Sequence, residues 1–184
     1  MSSSFELLQE AIPAYAKDLR LNLSSVLRQP ELTPGQTWGT AVASAHASGN
    51  RALYESLLAE AAKNVTPETI VGAKSAAAIM GMNNIYYRFQ HLVENEKYSA
   101  IPARLRMNVM RSHGADPVDF ELWGLAVSAI NGCGKCLAAH ERTVREKGIG
   151  EETVAAVIRI ASVVHAVAAV FNVETVAVPA TTPG

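Results

Sequence analysis

Three dipeptides mark the starts of helices and constrain the fold of this chain more than any other feature. They are Thr33-Pro34, Thr66-Pro67 and Asp116-Pro117. In each of them, a residue that favours the helix N-cap precedes a proline, which favours the first helical position. Apolar residues then follow at helical spacing, and alternating strand-like patterns are nearly absent. The sequence therefore predicts an all-α fold, a multi-helix bundle.

The predicted helices cover most of the chain. We place them at residues 4–26, 34–48, 51–63, 67–90, 102–110, 117–131, 134–147 and 151–172. Pro13 is expected to kink or split the first of them, because a proline removes a backbone hydrogen bond. The end of the chain, residues 173–184, is expected to form a loose tail, and its Val-rich part near Thr175 is the only weak strand candidate.

Two segments of the sequence recur at a nearly constant offset. WGTAVASA at 38–45 resembles WGLAVSAI at 123–130, 85 residues later, and PETI at 67–70 matches EETV at 151–154, 84 residues later. The agreement of the two offsets favours an internal duplication inside a single domain spanning 1–184. Its halves, at about 34–90 and 117–172, would be two similar helical units packed together, because a solenoid needs more copies.

The composition excludes several classes of protein. Hydrophobic residues make up 49% of the chain but aromatic residues only 6%, which favours closely packed helices. With a net charge of −1, the chain lacks the excess of positive charge that is typical of proteins that bind nucleic acid. We find no run of about 18 apolar residues, so no membrane span is expected. The segment MSSSFELLQE lacks the features of a secretory signal, so a cytoplasmic protein is expected.

The only two cysteines, Cys133 and Cys136, lie in the segment NGCGKCLAAHER, and His140 follows four residues after the second. On a helix these three positions share one face. Glycines before each cysteine allow a tight turn, so the cysteines are expected in the first helical turn, where free N–H groups stabilise thiolates. His140 is one turn from Cys136 and is placed to accept its proton. Glu121 is the carboxylate that we expect to orient or protonate His140, although the sequence leaves open whether it reaches that residue.

The repeat shows that helical packing does not require this pair of thiols. At the same offset, the first half carries Ser48, Arg51 and Glu55 in place of the two cysteines and the histidine. A redox dithiol is the favoured interpretation. A zinc site made by the two cysteines, His140 and Glu121, or a pair of buried structural thiols, remains open.

The motif Glu121-x11-Cys133-x2-Cys136-x3-His140, within ELWGLAVSAINGCGKCLAAHE, resembles the alkylhydroperoxidase D family of the carboxymuconolactone-decarboxylase-like superfamily. The resemblance extends through AYAKDLRLNLSSVL, AAAIMGMNNIYYR and LRMNVM. It implies an all-α homotrimer that reduces alkyl hydroperoxides through a CxxC dithiol, without a bound cofactor. The resemblance also implies dihydrolipoamide as the external reductant, carried by the lipoyl domain of a 2-oxoacid dehydrogenase complex, and a peroxiredoxin as the partner that is regenerated.

The resemblance further implies that Cys136 carries the peroxide-reactive sulfur, that Cys133 is its disulfide partner, and that Glu121 and His140 relay protons. The spacing of Cys136 and His140 favours the same choice, whereas nearness to the N-terminal amides favours Cys133 as the thiolate. Lys135 stands where members of the family often carry a histidine. Its charge still favours a neighbouring thiolate, but it does not relay protons at neutral pH as an imidazole does.

Two other functions are the alternatives. One is a carboxymuconolactone-decarboxylase-like enzyme, whose chemistry needs a carbonyl-polarising site and no dithiol. The other is a helical interaction module with a zinc knuckle formed around the two cysteines.

Overall fold

The computed structural model describes residues 3–174, and within them it is all-α, without a strand. Nine α-helices lie in this part of the chain: α1 Ser4–Glu10, α2 Lys17–Val26, α3 Pro34–Ser48, α4 Arg51–Ala61, α5 Pro67–Leu92, α6 Val109–Ser112, α7 Pro117–Ile130, α8 Gly134–Glu146 and α9 Glu151–Val173. The predicted fold class is confirmed. The strand candidate near Thr175 and almost all of the predicted tail lie outside the described residues.

Capping explains where the central helices begin. The side-chain oxygens of Thr33, Thr66 and Asp116 each accept a hydrogen bond from a backbone N–H two or three residues further on. These bonds satisfy donors that have no partner inside the helix. Helices α3, α5 and α7 begin at the proline that follows each of these residues, as the sequence predicts.

One predicted helix is split in the structure, as expected from Pro13, and another differs from the prediction. The helix predicted at 4–26 is split at Pro13 into α1 and α2, with a short 3-10 turn at Ala14–Ala16 between them. The helix predicted at 102–110 is wrong, because only Val109–Ser112 is helical there. Arg104 has a φ of 53°, which is in the left-handed region and ends any right-handed helix.

Helices α3 and α7 are the centre of the bundle. Each packs against the other and against both long helices, α5 and α9, and α8 packs on α7 and α5. The helix lengths follow the sequence repeat, since α3, α4 and α5 have 15, 11 and 26 residues and α7, α8 and α9 have 14, 13 and 23. This order is consistent with an internal duplication, which stays a prediction.

Helix α9 concerns the expectation that the chain has no membrane span. It is long and apolar enough to cross a membrane by length and composition alone, with a mean hydropathy of 2.2 over an 18-residue window. Half of that window is buried in the fold, where α9 packs against α2, α3 and α7. Packing within the bundle therefore accounts for the apolar character of the buried half of this window.

Candidate functional site

Cys133 and Cys136 form a disulfide at the start of α8, with their Cα atoms 5.3 Å apart. Cys133 is the N-cap residue, and its Sγ accepts a hydrogen bond from the backbone N–H of Cys136 at 3.3 Å. Both sulfurs thus lie at the first turn of the helix, as the sequence predicts, and the predicted disulfide is present. Cys133 is completely buried, and Cys136 is nearly so.

A tight turn between α7 and α8 places this pair. Gly132 has a φ of 67°, a conformation that glycine adopts without strain. The backbone N–H of Cys133 donates to the carbonyl of Ser128 at 3.0 Å. Arg88, on α5, donates from Nη1 to the carbonyl oxygen of Asn131 at 2.5 Å. The turn is therefore fixed both by its own backbone and by a neighbouring helix.

The buried side-chain amide of Asn84 also stabilises the turn between α7 and α8. Asn84, on α5, is fully buried and donates from Nδ2 to the hydroxyl of Ser128 at 2.9 Å. The amide of Asn131 in turn donates to Oδ1 of Asn84, also at 2.9 Å. Buried polar networks of this kind specify a single arrangement when every member has a partner. The network ties α5 and α7 to the turn that carries the disulfide.

His140 is held between a carboxylate and a thioether. Its Nδ1 lies 2.6 Å from Oε2 of Glu121, and its Nε2 lies 3.3 Å from Sδ of Met80. The imidazole is largely buried, and the Glu121 side chain is about a quarter exposed. In this disulfide form neither ring nitrogen is hydrogen-bonded to Cys136. The contact with Glu121, which the sequence left open, is therefore present.

Gly124 makes room for the imidazole. A Cβ atom added at this position of α7 would lie 2.9 Å from Cε1 of His140, closer than non-bonded carbon atoms approach each other. The glycine therefore allows the ring to lie directly on the backbone of α7, within reach of Glu121 one turn earlier.

A cavity of about 210 Å³ opens beside the disulfide. Its lining is mostly apolar and comprises Met80, Asn83, Tyr87, Met110, Lys135, Cys136, Ala139 and His140. Cys136 contributes to this lining, and Cys133 does not. A small organic molecule in the cavity would therefore meet Cys136 and His140, while Cys133 remains behind its partner sulfur.

Lys135 stands between this cavity and a larger polar groove. Its Nζ lies 5.6 Å from the ring centroid of Tyr87 and 3.4 Å from Oε1 of Gln90. The groove has a volume of about 740 Å³ and is lined in part by His91, Glu94 and Arg142. The lysine between the two cysteines thus forms part of the wall that separates the two spaces.

The zinc alternative gains no support from the described residues. Among residues 3–174, no group of three or more His, Cys, Asp or Glu side chains is arranged to hold a metal ion. The two sulfurs that would bind zinc are bonded to each other, and zinc requires thiolates.

All four residues predicted for the site, Cys133, Cys136, His140 and Glu121, lie together, but their catalytic roles stay predictions. From the sequence, the paired amides Asn83 and Asn84 in the segment MNNIYYR of α5 could line a pocket or a subunit contact, and packing with satisfied polar groups is the favoured interpretation. Asn84 makes the polar contacts expected of a packed residue, whereas its neighbour Asn83 lines the cavity.

Comparison with known proteins identifies relatives of the chain. The model of the carboxymuconolactone decarboxylase family matches residues 96–178. Alkyl hydroperoxide reductase AhpD of Solibacter usitatus is 59% identical over 169 residues, which cover 92% of this chain and 96% of that protein. The proteins of the same name from Acidobacterium capsulatum and Koribacter versatilis are 57% and 54% identical. They cover 94% and 93% of this chain, and the matches span 94% and 89% of their own lengths.

Proposed function

Because this chain belongs to the family of alkyl hydroperoxide reductase AhpD, we propose that it reduces alkyl hydroperoxides with the dithiol of Cys133 and Cys136. One observation carries the proposal: the disulfide is adjacent to an apolar cavity, and the hydrogen-bonded pair of His140 and Glu121 lies beside it. A dithiol that forms a disulfide supplies the two electrons needed to reduce a hydroperoxide to an alcohol.

In the proposed reaction, the thiolate of Cys136 attacks the distal oxygen of a hydroperoxide, ROOH. The O–O bond breaks, the sulfur keeps the OH group as a sulfenic acid, and the RO fragment takes a proton and leaves as the alcohol. The Cys133 thiol then loses its proton and attacks the sulfenic sulfur, which forms the disulfide. The OH group leaves with that proton as water. The cavity favours this assignment of the two sulfurs, because only Cys136 contributes to its lining.

His140 and Glu121 would move the protons. The imidazole accepts the thiol proton of Cys136 and returns a proton to the leaving alkoxide. Glu121, 2.6 Å from Nδ1, keeps the ring in one orientation and stabilises its protonated form. After the disulfide forms, Nε2 faces Met80 and the cavity, where the next substrate would bind.

Dihydrolipoamide, carried on the lipoyl domain of a 2-oxoacid dehydrogenase complex, is the proposed external reductant, and a peroxiredoxin is the proposed partner that receives the electrons. The open polar groove next to Lys135 supports an approach from this side, because it reaches the helix that begins at the disulfide. Since a dithiol cycle needs reducing surroundings, the proposed location is the cytoplasm.

A homotrimer is the proposed assembly. Helix α5 carries apolar side chains at a repeating spacing of three and four residues, which places them in one stripe: Ala78, Met82, Ile85, Phe89 and Leu92, all of them exposed except the half-buried Met82. A continuous apolar stripe on a helix is typical of a surface that packs against a partner. The stripe supports contact between subunits, and family membership supports three of them.

The decarboxylase alternative is supported only by the description of the matching family model. That chemistry does not use a dithiol, so it would leave the disulfide and its adjacent cavity without a role.

The test is a coupled assay that follows NADH consumption. The purified protein is combined with lipoamide, lipoamide dehydrogenase and tert-butyl hydroperoxide, with and without a candidate peroxiredoxin. We expect NADH consumption that depends on both the protein and the hydroperoxide. The Cys136→Ser variant is the control and should be inactive. Two thiols that still react with a thiol reagent after excess hydroperoxide would contradict the proposal.

A further inference from the structure

Asn83 is a buried polar side chain of the cavity that the reaction above does not use. It lies on α5, one turn after Met80, and only 4% of its surface is exposed. Its Nδ2 is 3.8 Å from Sδ of Met110, while its Oδ1 is buried and makes no hydrogen bond. An unpaired buried acceptor is rare in folded proteins and is a candidate for contact with a ligand.

The neighbours of the amide determine which of its atoms is free. A thioether sulfur accepts hydrogen bonds weakly and cannot donate one. The NH₂ group of Asn83 therefore faces Met110, and the carbonyl oxygen is the unused atom. A ligand that satisfies Asn83 must donate a hydrogen bond, and the rest of it must tolerate the surrounding apolar side chains.

We propose that the side chain of Asn83, which lines the cavity with its Oδ1 enclosed, turns on ligand binding so that Oδ1 accepts a hydrogen bond from the O–H group of the bound organic hydroperoxide. This inference rests on the proposed function. The O–H group is on the distal oxygen, which is the atom that Cys136 attacks, so the bond would orient that oxygen toward the sulfur. The hydrogen stays on this oxygen as it becomes the OH of the sulfenic acid, and Asn83 is unchanged by the reaction. The organic group would lie against Met80 and Met110.

The proposal predicts that variants at Asn83 react more slowly with hydroperoxides but not with other oxidants. Diamide, a diazene, oxidises dithiols to disulfides but has no O–H group to donate. A change at Asn83 should therefore slow oxidation by hydroperoxide without slowing oxidation by diamide. A change that merely disturbed the fold around the cysteines would slow both.

The experiment compares Asn83→Thr with Asn83→Val, two side chains of similar shape that differ in one hydroxyl group. The reduced proteins are mixed with cumene hydroperoxide or with diamide, and disulfide formation is followed by rapid mixing and thiol trapping. We expect Asn83→Val to react about three- to tenfold more slowly than Asn83→Thr with the hydroperoxide, the effect of one neutral hydrogen bond. Their rates with diamide should be equal.

Thr40→Val is the matched control, because Thr40 also has a buried oxygen without a hydrogen-bond partner but does not line the cavity. This variant should react with cumene hydroperoxide like the wild-type protein. If Thr40→Val slowed the reaction with cumene hydroperoxide as much as Asn83→Val does, the proposal would be contradicted. The loss of any buried oxygen would then be enough to explain the slower rate.

A second measurement uses only the wild-type protein and does not depend on the folding of a variant. Cumyl alcohol, which keeps the O–H group, should inhibit oxidation by cumene hydroperoxide at a concentration about three- to tenfold lower than its methyl ether does. Equal inhibition by the two compounds would overturn the proposal. So would equal hydroperoxide rates for the Asn83→Thr and Asn83→Val variants. A wild-type protein that reacts with diamide but with no hydroperoxide would instead refute the proposed function.

Discussion

Replacing Gly124 by alanine is expected to impair the reaction with hydroperoxide while leaving the stability of the protein nearly unchanged. The new Cβ atom would lie 2.9 Å from Cε1 and 3.2 Å from Nε2 of His140, so the ring must move. The cavity of about 210 Å³ that the imidazole lines gives it room to do so. The movement would lengthen or break the hydrogen bond between His140 and Glu121, which is 2.6 Å in the wild-type structure.

Opposing contributions determine the stability of this variant. Alanine in the interior of a helix is favoured over glycine by about 0.8–1.0 kcal/mol. The loss of one hydrogen bond costs about 0.5–1.5 kcal/mol, and residual crowding adds to that cost. The free energy of unfolding should therefore change by about 1 kcal/mol or less, which corresponds to roughly 2–4 °C in Tm for a chain of this size.

The rate should change far more than the stability. A correctly placed general acid or base typically contributes about 10²–10⁴-fold to the rate, and a displaced His140 would lose part of this contribution. We expect disulfide formation by cumene hydroperoxide to slow by about tenfold or more, as measured by rapid mixing and thiol trapping. The rate of oxidation by diamide should not decrease in this way.

A double-mutant cycle tests whether Gly124 acts through His140. In a His140→Ala background, Gly124→Ala should cause no further loss of rate and should raise the Tm by roughly 2–4 °C, because the helix gains alanine without a clash. A Gly124→Ala variant that reacts at the wild-type rate would refute the reasoning. An equal loss of rate in both backgrounds would also refute it.

Three further predictions concern the sulfurs, the surface of α5 and a partly buried carboxyl group. Cys133→Ser should consume one equivalent of peroxide and be trapped as a sulfenic acid at Cys136, whereas Cys136→Ser should neither react nor be trapped; labelling of Cys133 in the second variant would reverse the two roles. Ile85→Glu should reduce the molecular mass in light scattering at micromolar concentration, because it puts a charge in the centre of the exposed apolar stripe of α5; a wild-type protein that is already monomeric would exclude the proposed assembly. Burial raises the pKa of the Asp119 carboxyl, and the charge of Asp116 adds to this. A raised pKa means that the folded state is favoured while Asp119 is protonated and loses stability as the pH rises through its folded-state pKa. The free energy of unfolding of Asp119→Asn minus that of the wild type, measured by urea unfolding, should therefore be larger at pH 7 than at pH 3. An equal difference at both pH values would contradict this.

Local chemistry predicted the parts of the structure that depend on neighbouring residues. A threonine or aspartate followed by proline fixes a helix start through one capping bond, so the starts of α3, α5 and α7 were found correctly. The spacing of Cys133, Cys136 and His140 likewise depends only on the geometry of one helix. The contact between His140 and Glu121 spans two helices, and the sequence could name that pair but not its distance.

The parts that were missed depend on residues far apart in the chain. The left-handed backbone at Arg104 has no signal in the sequence, because arginine and its neighbours are compatible with a helix. The cavity brings Met80 and Met110 to Cys136 from separate helices. Neither methionine stands out in the sequence, since methionine fills gaps in many cores.

Helices α3 and α7 each carry a glycine on which an aromatic ring packs. The sequence offset of 85 residues pairs Gly39 of α3 with Gly124 of α7. A Cβ atom at Gly39 would lie 2.3 Å from the buried indole of Trp123, and one at Gly124 would lie 2.9 Å from the imidazole of His140. Each glycine therefore provides a notch in which a ring packs on a helix backbone. At Gly39 the ring belongs to the core, whereas at Gly124 it is a titratable group that also contacts Glu121. At these two glycines the backbone packing is alike, and the side chains around Gly124 add the titratable groups that the surroundings of Gly39 lack.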